Sequence, residues 1–328
     1  MPPFGNDPSV VTNGGLAPRV EQAIRAVAMV VAIAACGYIA MALWAGWSDL
    51  IDAMVSLGLS ALAGGAAIAS LNYLLRFVRW HDLLRRMGER VPLLDNLAVY
   101  VGGVALTTTP GKVGETIRCA LLLRWRVPMG ASLAAFFIDR LTDLIGVLLL
   151  AAMTRGSLLW WGLTGGAFAV GAALRWAFAN RRAEGLAARL EGHQRIARFV
   201  VFLRSGMAHY LVGWRLPAVA AYVLLALTGY SIQGLVFAAY VALLWPASGY
   251  VESLHIFATS TLVGAFSMLP GGLGAMEVAL VAQLHAAGMP LAAATAAAVA
   301  TRAVTLWFGI LAGLLCLLWY RRRTAVSS

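Results

Sequence analysis

Hydrophobic and polar positions in this chain fall into long blocks rather than alternating at the period of a soluble helix or strand. Six apolar runs, near 26–47, 53–75, 129–153, 157–178, 216–245 and 290–320, each supply the roughly 20 helical residues needed to cross a hydrocarbon core of about 30 Å. They predict six transmembrane helices. Two further apolar stretches, roughly 93–126 and 252–288, are broken near their middles by Pro110-Gly111 and Pro270-Gly271-Gly272, where one helix must stop and another start. The N-terminal MPPFGNDPSVVTNGGLAP is rich in Pro, Gly and Asn, which predicts a disordered tail over 1–25. The apolar run after it is too long for a signal-peptide core and lacks a convincing cleavage site, so it reads as a retained first span.

Composition fixes the solvent. At 328 residues, 61% hydrophobic and 12% charged, the chain cannot hide its apolar side chains in a water-soluble core. The expected class is an all-α polytopic membrane protein, with a membrane domain over 26–320 and a short tail over 321–328. The net charge of +11 comes from arginines set between the apolar runs. This points to loops at an anionic cytoplasmic leaflet and excludes nucleic acid as the partner. The segment RFVRWHDLLRRMGER, the basic segment around 179–215 and Arg321, Arg322 and Arg323 all fall on the cytoplasmic side by this rule, whereas Asp49, Asp52 and Glu252 mark outer linkers. Both termini are then cytoplasmic, in a bacterial-type inner membrane.

That orientation requires 93–126 and 252–288 to enter the membrane and leave on the side they came from, as re-entrant helical hairpins. The spans after the two hairpins match as well. Pro110, Gly111, Gly114 and Glu115 lead to a span with Arg140, Thr142 and Gly146; Pro270, Gly271, Gly274 and Glu277 lead to one with Arg302, Thr305 and Gly309. The spans between the units turn the second copy upside down, which makes an inverted repeat of about 93–153 and 252–320. Inverted repeats with broken helices mark many transporters, whose site lies near the membrane midplane.

The breaks carry the candidate chemistry. Irregular backbone at membrane depth is tolerated only where protein buries it or a wet cavity borders it. A helix starting at Gly111 points unpaired N–H groups and a positive dipole end into such a cavity, which suits a phosphate. Lys112, the only lysine, either adds a mobile positive charge or snorkels to the interface. Arg118 adds charge nearby, and Gly111, Gly114, Gly271 and Gly272 allow close approach to backbone. Glu115 and Glu277 are costly at this depth unless paired or protonated, so they pair with Arg118, Arg140 or Arg302, or carry a proton. Asp139 and Asp143 share one helix face with Arg140 in reach of Asp143, which suits a structural cluster or part of the site. Arg302 has no acid within a turn of its own helix and so needs a distant partner or an anionic ligand.

Other polar residues read as structural. Cys36, Cys119 and Cys316 have no metal or redox spacing and read as small core residues. His81, His193, His209, His255 and His285 form no metal-ligand pair, and no Ser-His-Asp arrangement makes a hydrolase case. No metal or cofactor is expected. Thr107, Thr108, Thr109 and Ser267 satisfy backbone groups freed by the breaks. The segments 76–90 and 181–205 suit helices lying on the membrane surface, or span ends with snorkelling arginines.

Taken in order, RFVRWHDLLRRMG, TTTPGKVGETIR, FFIDRLTDL, SMLPGGLGAMEV and TRAVTLWFG resemble the successive motifs of the lysylphosphatidylglycerol synthase transmembrane family, the flippase-like domain proteins. The resemblance runs over about 50–320 and implies movement of a lipid between leaflets. Glu115, Glu277, Arg140 and Arg302 match the family's central motifs. The chain ends at Ser328 without a soluble aminoacyltransferase domain, so synthesis of an aminoacyl lipid is not expected. The resulting expectation is a non-enzymatic translocase of a phosphate-bearing lipid, with membrane lipids as partners and homo-oligomerisation left open. Pro110 and Pro270 set the breaks, and Asp139 and Asp143 support the site. A transporter of a small soluble anion and a transferase acting on lipid-linked substrates are the rival classes.

Overall fold

The computed structural model describes residues 46–105, 121–179 and 194–326, together with 37, 39, 43, 44, 118 and 119; over 194–203 and 320–326 it describes the backbone alone. The first expected span, 26–47, lies almost wholly outside the described residues. So do the break at Pro110-Gly111, Lys112, Gly114 and Glu115.

The described chain is helical throughout, with no strand among the described residues. In order the helices are α1 (Trp47–Arg86), α2 (Leu93–Ala105), α3 (Met129–Arg155), α4 (Leu158–Ala179), α5 (Gln194–Gly213), α6 (Leu216–Leu244), α7 (Tyr250–Phe266), α8 (Ala275–Ala286), α9 (Leu291–Arg302) and α10 (Phe308–Val326). A π-helical turn, Ala303–Trp307, joins α9 to α10. Local chemistry sets the boundaries. Pro128 precedes α3, and Gly156 at φ 63° closes it by donating its N–H to the carbonyl of Ala152 at 2.8 Å. Pro217 opens α6.

Three helical stretches are long and apolar enough to cross a membrane: Trp47–Arg86, Leu216–Leu244 and Leu291–Trp319. The chain is therefore an all-α polytopic membrane protein. Of the other expected spans, α3 has 27 residues and α4 has 22, lengths of about 40 and 33 Å at 1.5 Å per residue. Charged residues at 139, 140 and 143 make α3 less apolar. On α4 only Thr164 and Gly171 are buried, and Leu158, Leu159, Trp161 and Trp176 are exposed, as suits a helix bathed in lipid.

Helix α3 packs against α1, α4, α5, α6 and α7, and α6 packs against α1, α3, α7 and α9. Two contacts cross between the units that the sequence suggests. The first arm of the first unit, α2, lies on α10, the tail of the second; the first arm of the second unit, α7, lies on α3, the tail of the first. Small residues let α2 and α10 approach: a Cβ on Gly313 would stand 2.6 Å from the carbonyl oxygen of Val101 and 2.8 Å from the Ala105 side chain.

One expectation changes. The segment 76–90 does not lie flat on the surface with its arginines in water. Helix α1 runs on through Arg86, and Phe77, Arg79, Trp80, Leu83 and Leu84 are buried, because aspartates on α3 meet the arginines inside the protein. Of the segment 181–205, side chains are described only at 204 and 205; beyond it, α5 packs on α3, with Tyr210 and Trp214 stacked 5.6 Å apart in the main core.

Candidate functional site

The second break is a built turn. Ser267 follows α7, a 3-10 turn spans Pro270–Gly272, and α8 begins at Ala275. Gly271, Gly272 and Gly274 have φ of 59°, 67° and 81°, the left-handed region that glycine enters without steric cost. A Cβ on Gly272 would also sit 3.0 Å from the carbonyl oxygen of Gly264, so the turn folds directly onto α7. Ser267 Oγ donates to Gly264 O at 2.9 Å and accepts from the Leu269 N–H at 3.3 Å, the backbone satisfaction expected of it. Farther along the hairpin, Gln283 accepts from Thr259 and donates to Ser260, both at 2.9 Å, which ties α8 to α7.

Arg302, at the end of α9, holds this turn. Its Nε donates to Glu277 Oε1 at 2.8 Å, its Nη2 to the carbonyl of Gly271 at 2.7 Å and its Nη1 to the sulfur of Met276 at 3.4 Å. Both side chains are buried, Arg302 at 7% exposure and Glu277 at 1%. The distant acid that the sequence requires for Arg302 is thus Glu277. All three nitrogens of the guanidinium already serve protein groups, so Arg302 is a strut across the break in this arrangement.

A second constellation joins α1 to α3. Arg79 Nε donates to Asp139 Oδ1 at 2.7 Å and its Nη2 to Asp143 Oδ1 at 2.6 Å. Arg76 Nη2 donates to Asp143 Oδ2 at 2.7 Å, and Arg140 Nη2 lies 2.7 Å from Asp139 Oδ2 and 3.2 Å from Asp143 Oδ2. Three guanidiniums therefore converge on two carboxylates. Arg79 and Asp139 are wholly buried, a placement that requires close pairing of opposite charges. Arg118 stands beside this group, 2% exposed, its guanidinium 4.6 Å from the Trp80 ring, 5.1 Å from Tyr100 and 5.3 Å from Phe136.

Between the two constellations lies a cavity of about 190 Å³. Holding one water takes only about 10–15 Å³, so this space admits a group much larger than water. Arg76, Arg118, Arg140 and Arg302 line it, together with Tyr73, Tyr100, Tyr230 and Gln233 and with Gly271 and Gly272 of the break. No Asp or Glu among the described residues lines it; Asp139, Asp143 and Glu277 each meet an arginine at the wall. Such a wall is chemically suited to an anion, which each guanidinium can meet with paired N–H donors.

The structure thus brings Arg118, Arg140, Arg302, Gly271 and Gly272 to one cavity, with Glu277, Asp139 and Asp143 behind its wall and Pro270 at the start of its turn. Sequence reasoning missed Arg76, the tyrosines and Gln233. The signals were present. Tyr73 and Arg76 are three apart on one helix, as are Tyr230 and Gln233, and a glutamine inside a 29-residue apolar helix is costly without a task.

A family model described as the lysylphosphatidylglycerol synthase TM region matches residues 26–313, most of the chain. A search of curated proteins finds no match.

Proposed function

We propose that this chain, which belongs to the lysylphosphatidylglycerol synthase transmembrane family, moves a phosphate-bearing lipid between leaflets of a bacterial-type inner membrane. The observation that carries the reading is the 190 Å³ cavity inside an all-helical membrane protein, lined by four arginines beside a glycine-rich helix break. A phosphate group loses its hydration when it enters a bilayer, and arginines held at depth replace that water with fixed donors. Arg76, Arg118 and Arg140 would take the phosphate. Arg302 and Glu277 would keep the break in shape, and the lipid tails would stay in the bilayer. The crossed packing of α2 on α10 and α7 on α3 supports an inverted repeat, in which the two units move against each other around the cavity. No covalent step is needed for this cycle.

The test is a leaflet-accessibility assay in proteoliposomes. Short-chain fluorescent phospholipids should exchange leaflets in the presence of the protein, and the matching diacylglycerol should show no protein-dependent gain. Equal stimulation of both, or uptake of inorganic phosphate into the same vesicles with no lipid exchange, would overturn the reading. Orientation is tested separately. Reporters fused after Arg198 and after Arg323 should face the cytoplasm and one near Ser248 the outside; a cytoplasmic signal at Ser248 would remove the inverted repeat.

A further inference from the structure

Buried arginines in this protein are held by two kinds of neighbour. Arg79 and Arg302 spend their N–H groups on carboxylates and, for Arg302, on the Gly271 carbonyl. Arg118 lies among aromatic rings, its guanidinium over those of Trp80, Tyr100 and Phe136. Both sides of this berth are built. Trp80 is fixed by its Nε1, which donates to Asn96 Oδ1 at 3.1 Å, and Gly103 of α2 leaves room for the arginine stem, since a Cβ there would stand 3.3 Å from Arg118 Cδ. Arg140 uses both kinds of neighbour: it pairs with Asp139 and Asp143, and its guanidinium stands 5.8 Å from the centre of the same Phe136 ring.

The two kinds of neighbour differ in what they ask of a guanidinium. A carboxylate binds its N–H edge, the same edge that an oxyanion needs. A ring attracts the cation through the negative charge of its face and so holds it in place without competing for that edge. Among the described residues, Phe136 is the ring that serves two of the cavity's arginines. It precedes Arg140 by four residues on α3 and therefore shares its helix face. Phe136 stands outside the cavity lining, so it acts on an occupant only through the arginines. Two guanidiniums drawn to one place repel each other, and the electron-rich ring offsets part of that repulsion.

We infer that Phe136 is a positioning residue: its ring holds Arg118 and Arg140 as a pair at the cavity wall, so that both guanidiniums meet one oxyanion. The inference rests on the phosphate reading of the cavity and adds what sets its charges in place. Arg118 and Arg140 touch the ligand, and Phe136 orients them.

The experiment replaces Phe136 by its mono-, di- and trifluorinated analogues, which weaken the negative face of the ring at nearly constant shape. Binding of dioctanoyl phosphatidylmethanol, an anionic phosphodiester, to the purified full chain in nonionic detergent is read by ligand-dependent thermal stabilisation, with dioctanoylglycerol as the neutral control. Affinity for phosphatidylmethanol should fall in step with the fluorine count, to a loss of about threefold for the trifluorinated ring, while melting without ligand stays at the original temperature. Phe136→Leu, which removes the ring, should weaken binding about fivefold, and Phe136→Tyr, which keeps an aromatic face, should stay within about twofold of the original. The fluorinated series decides the matter if Phe136→Leu does not fold. Unchanged affinity across the series overturns the inference, as does a melting temperature that falls with the fluorine count at constant affinity, because the ring would then serve the fold alone. A rise in affinity would show the ring competing with the ligand for the guanidiniums and would overturn it too. If phosphatidylmethanol binds the original protein no better than dioctanoylglycerol, the phosphate reading itself fails and the positioning role with it.

Discussion

Arg140 and Arg302 hold corresponding places in the two units that the sequence suggests, yet their surroundings differ. Arg140 meets acids one residue before it and three after it on its own helix, Asp139 and Asp143, which Arg76 and Arg79 of α1 also engage. Arg302 meets one acid, Glu277, from the hairpin itself, and the carbonyl of a broken turn. Arg140 keeps 27% of its side chain exposed and Arg302 only 7%. Redundant pairing keeps Asp139 and Asp143 partnered by Arg76 and Arg79 whichever way Arg140 turns. Arg302 bonds both Glu277 and the Gly271 carbonyl, so it braces the broken turn from two sides. The same residue type thus joins a shared cluster of ion pairs in one unit and braces a broken turn in the other.

The helices beyond the two arginines sharpen this contrast. Arg140, Thr142 and Gly146 correspond to Arg302, Thr305 and Gly309 only if the second unit carries one extra residue, and the π-helical turn Ala303–Trp307 lies where that residue is needed. Such turns insert one residue into a helix and recur at functional sites. Both threonines bond back to the carbonyl four residues earlier, Thr142 to Ile138 and Thr305 to Thr301. Both glycines admit a neighbour: a Cβ on Gly146 would meet Ala226 of α6 at 2.7 Å, and one on Gly309 would collide with the hydroxyl of Tyr73 on α1. Tyr73 in turn donates to the carbonyl of Thr305 inside the π turn.

The comparison breaks most severely at its most buried pair. Arg79→Met leaves Asp139 and Asp143 short of a partner in a dry interior and should cost about 3–5 kcal/mol. Arg79→Met with Asp139→Leu should recover part of that loss. Thermal melting in detergent reads both; a single variant that melts like the original would show that the α1–α3 cluster holds no helix in place. Glu277→Gln comes next. The amide retains a hydrogen bond to Arg302 but not its charge, and charge-assisted bonds contribute about 1.5–3 kcal/mol against about 1 for neutral ones. Melting should drop modestly while lipid exchange falls sharply; unchanged exchange would free Glu277 from any part in transport. Gly309→Ala probes the π turn. Its methyl would collide with Tyr73, and overpacking of this kind costs about 1–3 kcal/mol. The double variant Gly309→Ala with Tyr73→Phe should relieve part of that cost, as melting would show.

Much of this architecture was legible in the sequence because membranes impose simple rules. The runs expected at 129–153, 157–178 and 216–245 became helices within two residues of those ends, the run at 53–75 lies inside the longer α1, and Pro270-Gly271-Gly272 marks the break that the structure contains. Pairing was harder to read. The partner of Arg302 lies 25 residues away and those of Asp139 and Asp143 about 60 away or more, distances at which only the folded packing decides who meets whom. Arg76 and Arg79 were misplaced because arginines at the end of an apolar run obey the same composition rule whether they snorkel to water or turn inward to acids. Gln233 escaped notice because hydropathy averages over a span and hides one amide in 29 residues.

The smallest effect on the fold is expected at Arg140, and it separates the two arginines most cleanly. In Arg140→Gln, Asp139 retains Arg79, and Asp143 retains Arg76 and Arg79. Neither of these carboxylates is stranded, and the lost pairs involve a side chain that is partly exposed, so stability should fall by only about 1 kcal/mol. Arg302→Gln deprives Glu277 of its 2.8 Å partner and the Gly271 carbonyl of its 2.7 Å donor, and it should cost about 3–5 kcal/mol. Ligand binding should rank the other way among the molecules that fold. Arg140→Gln should weaken phosphatidylmethanol binding about tenfold, one charge-assisted contact in a confined cavity, at a melting temperature close to the original. An Arg140→Gln protein that melts as early as Arg302→Gln would make Arg140 a structural residue, and one that binds the lipid at full strength would leave Arg76 and Arg118 to hold the phosphate alone.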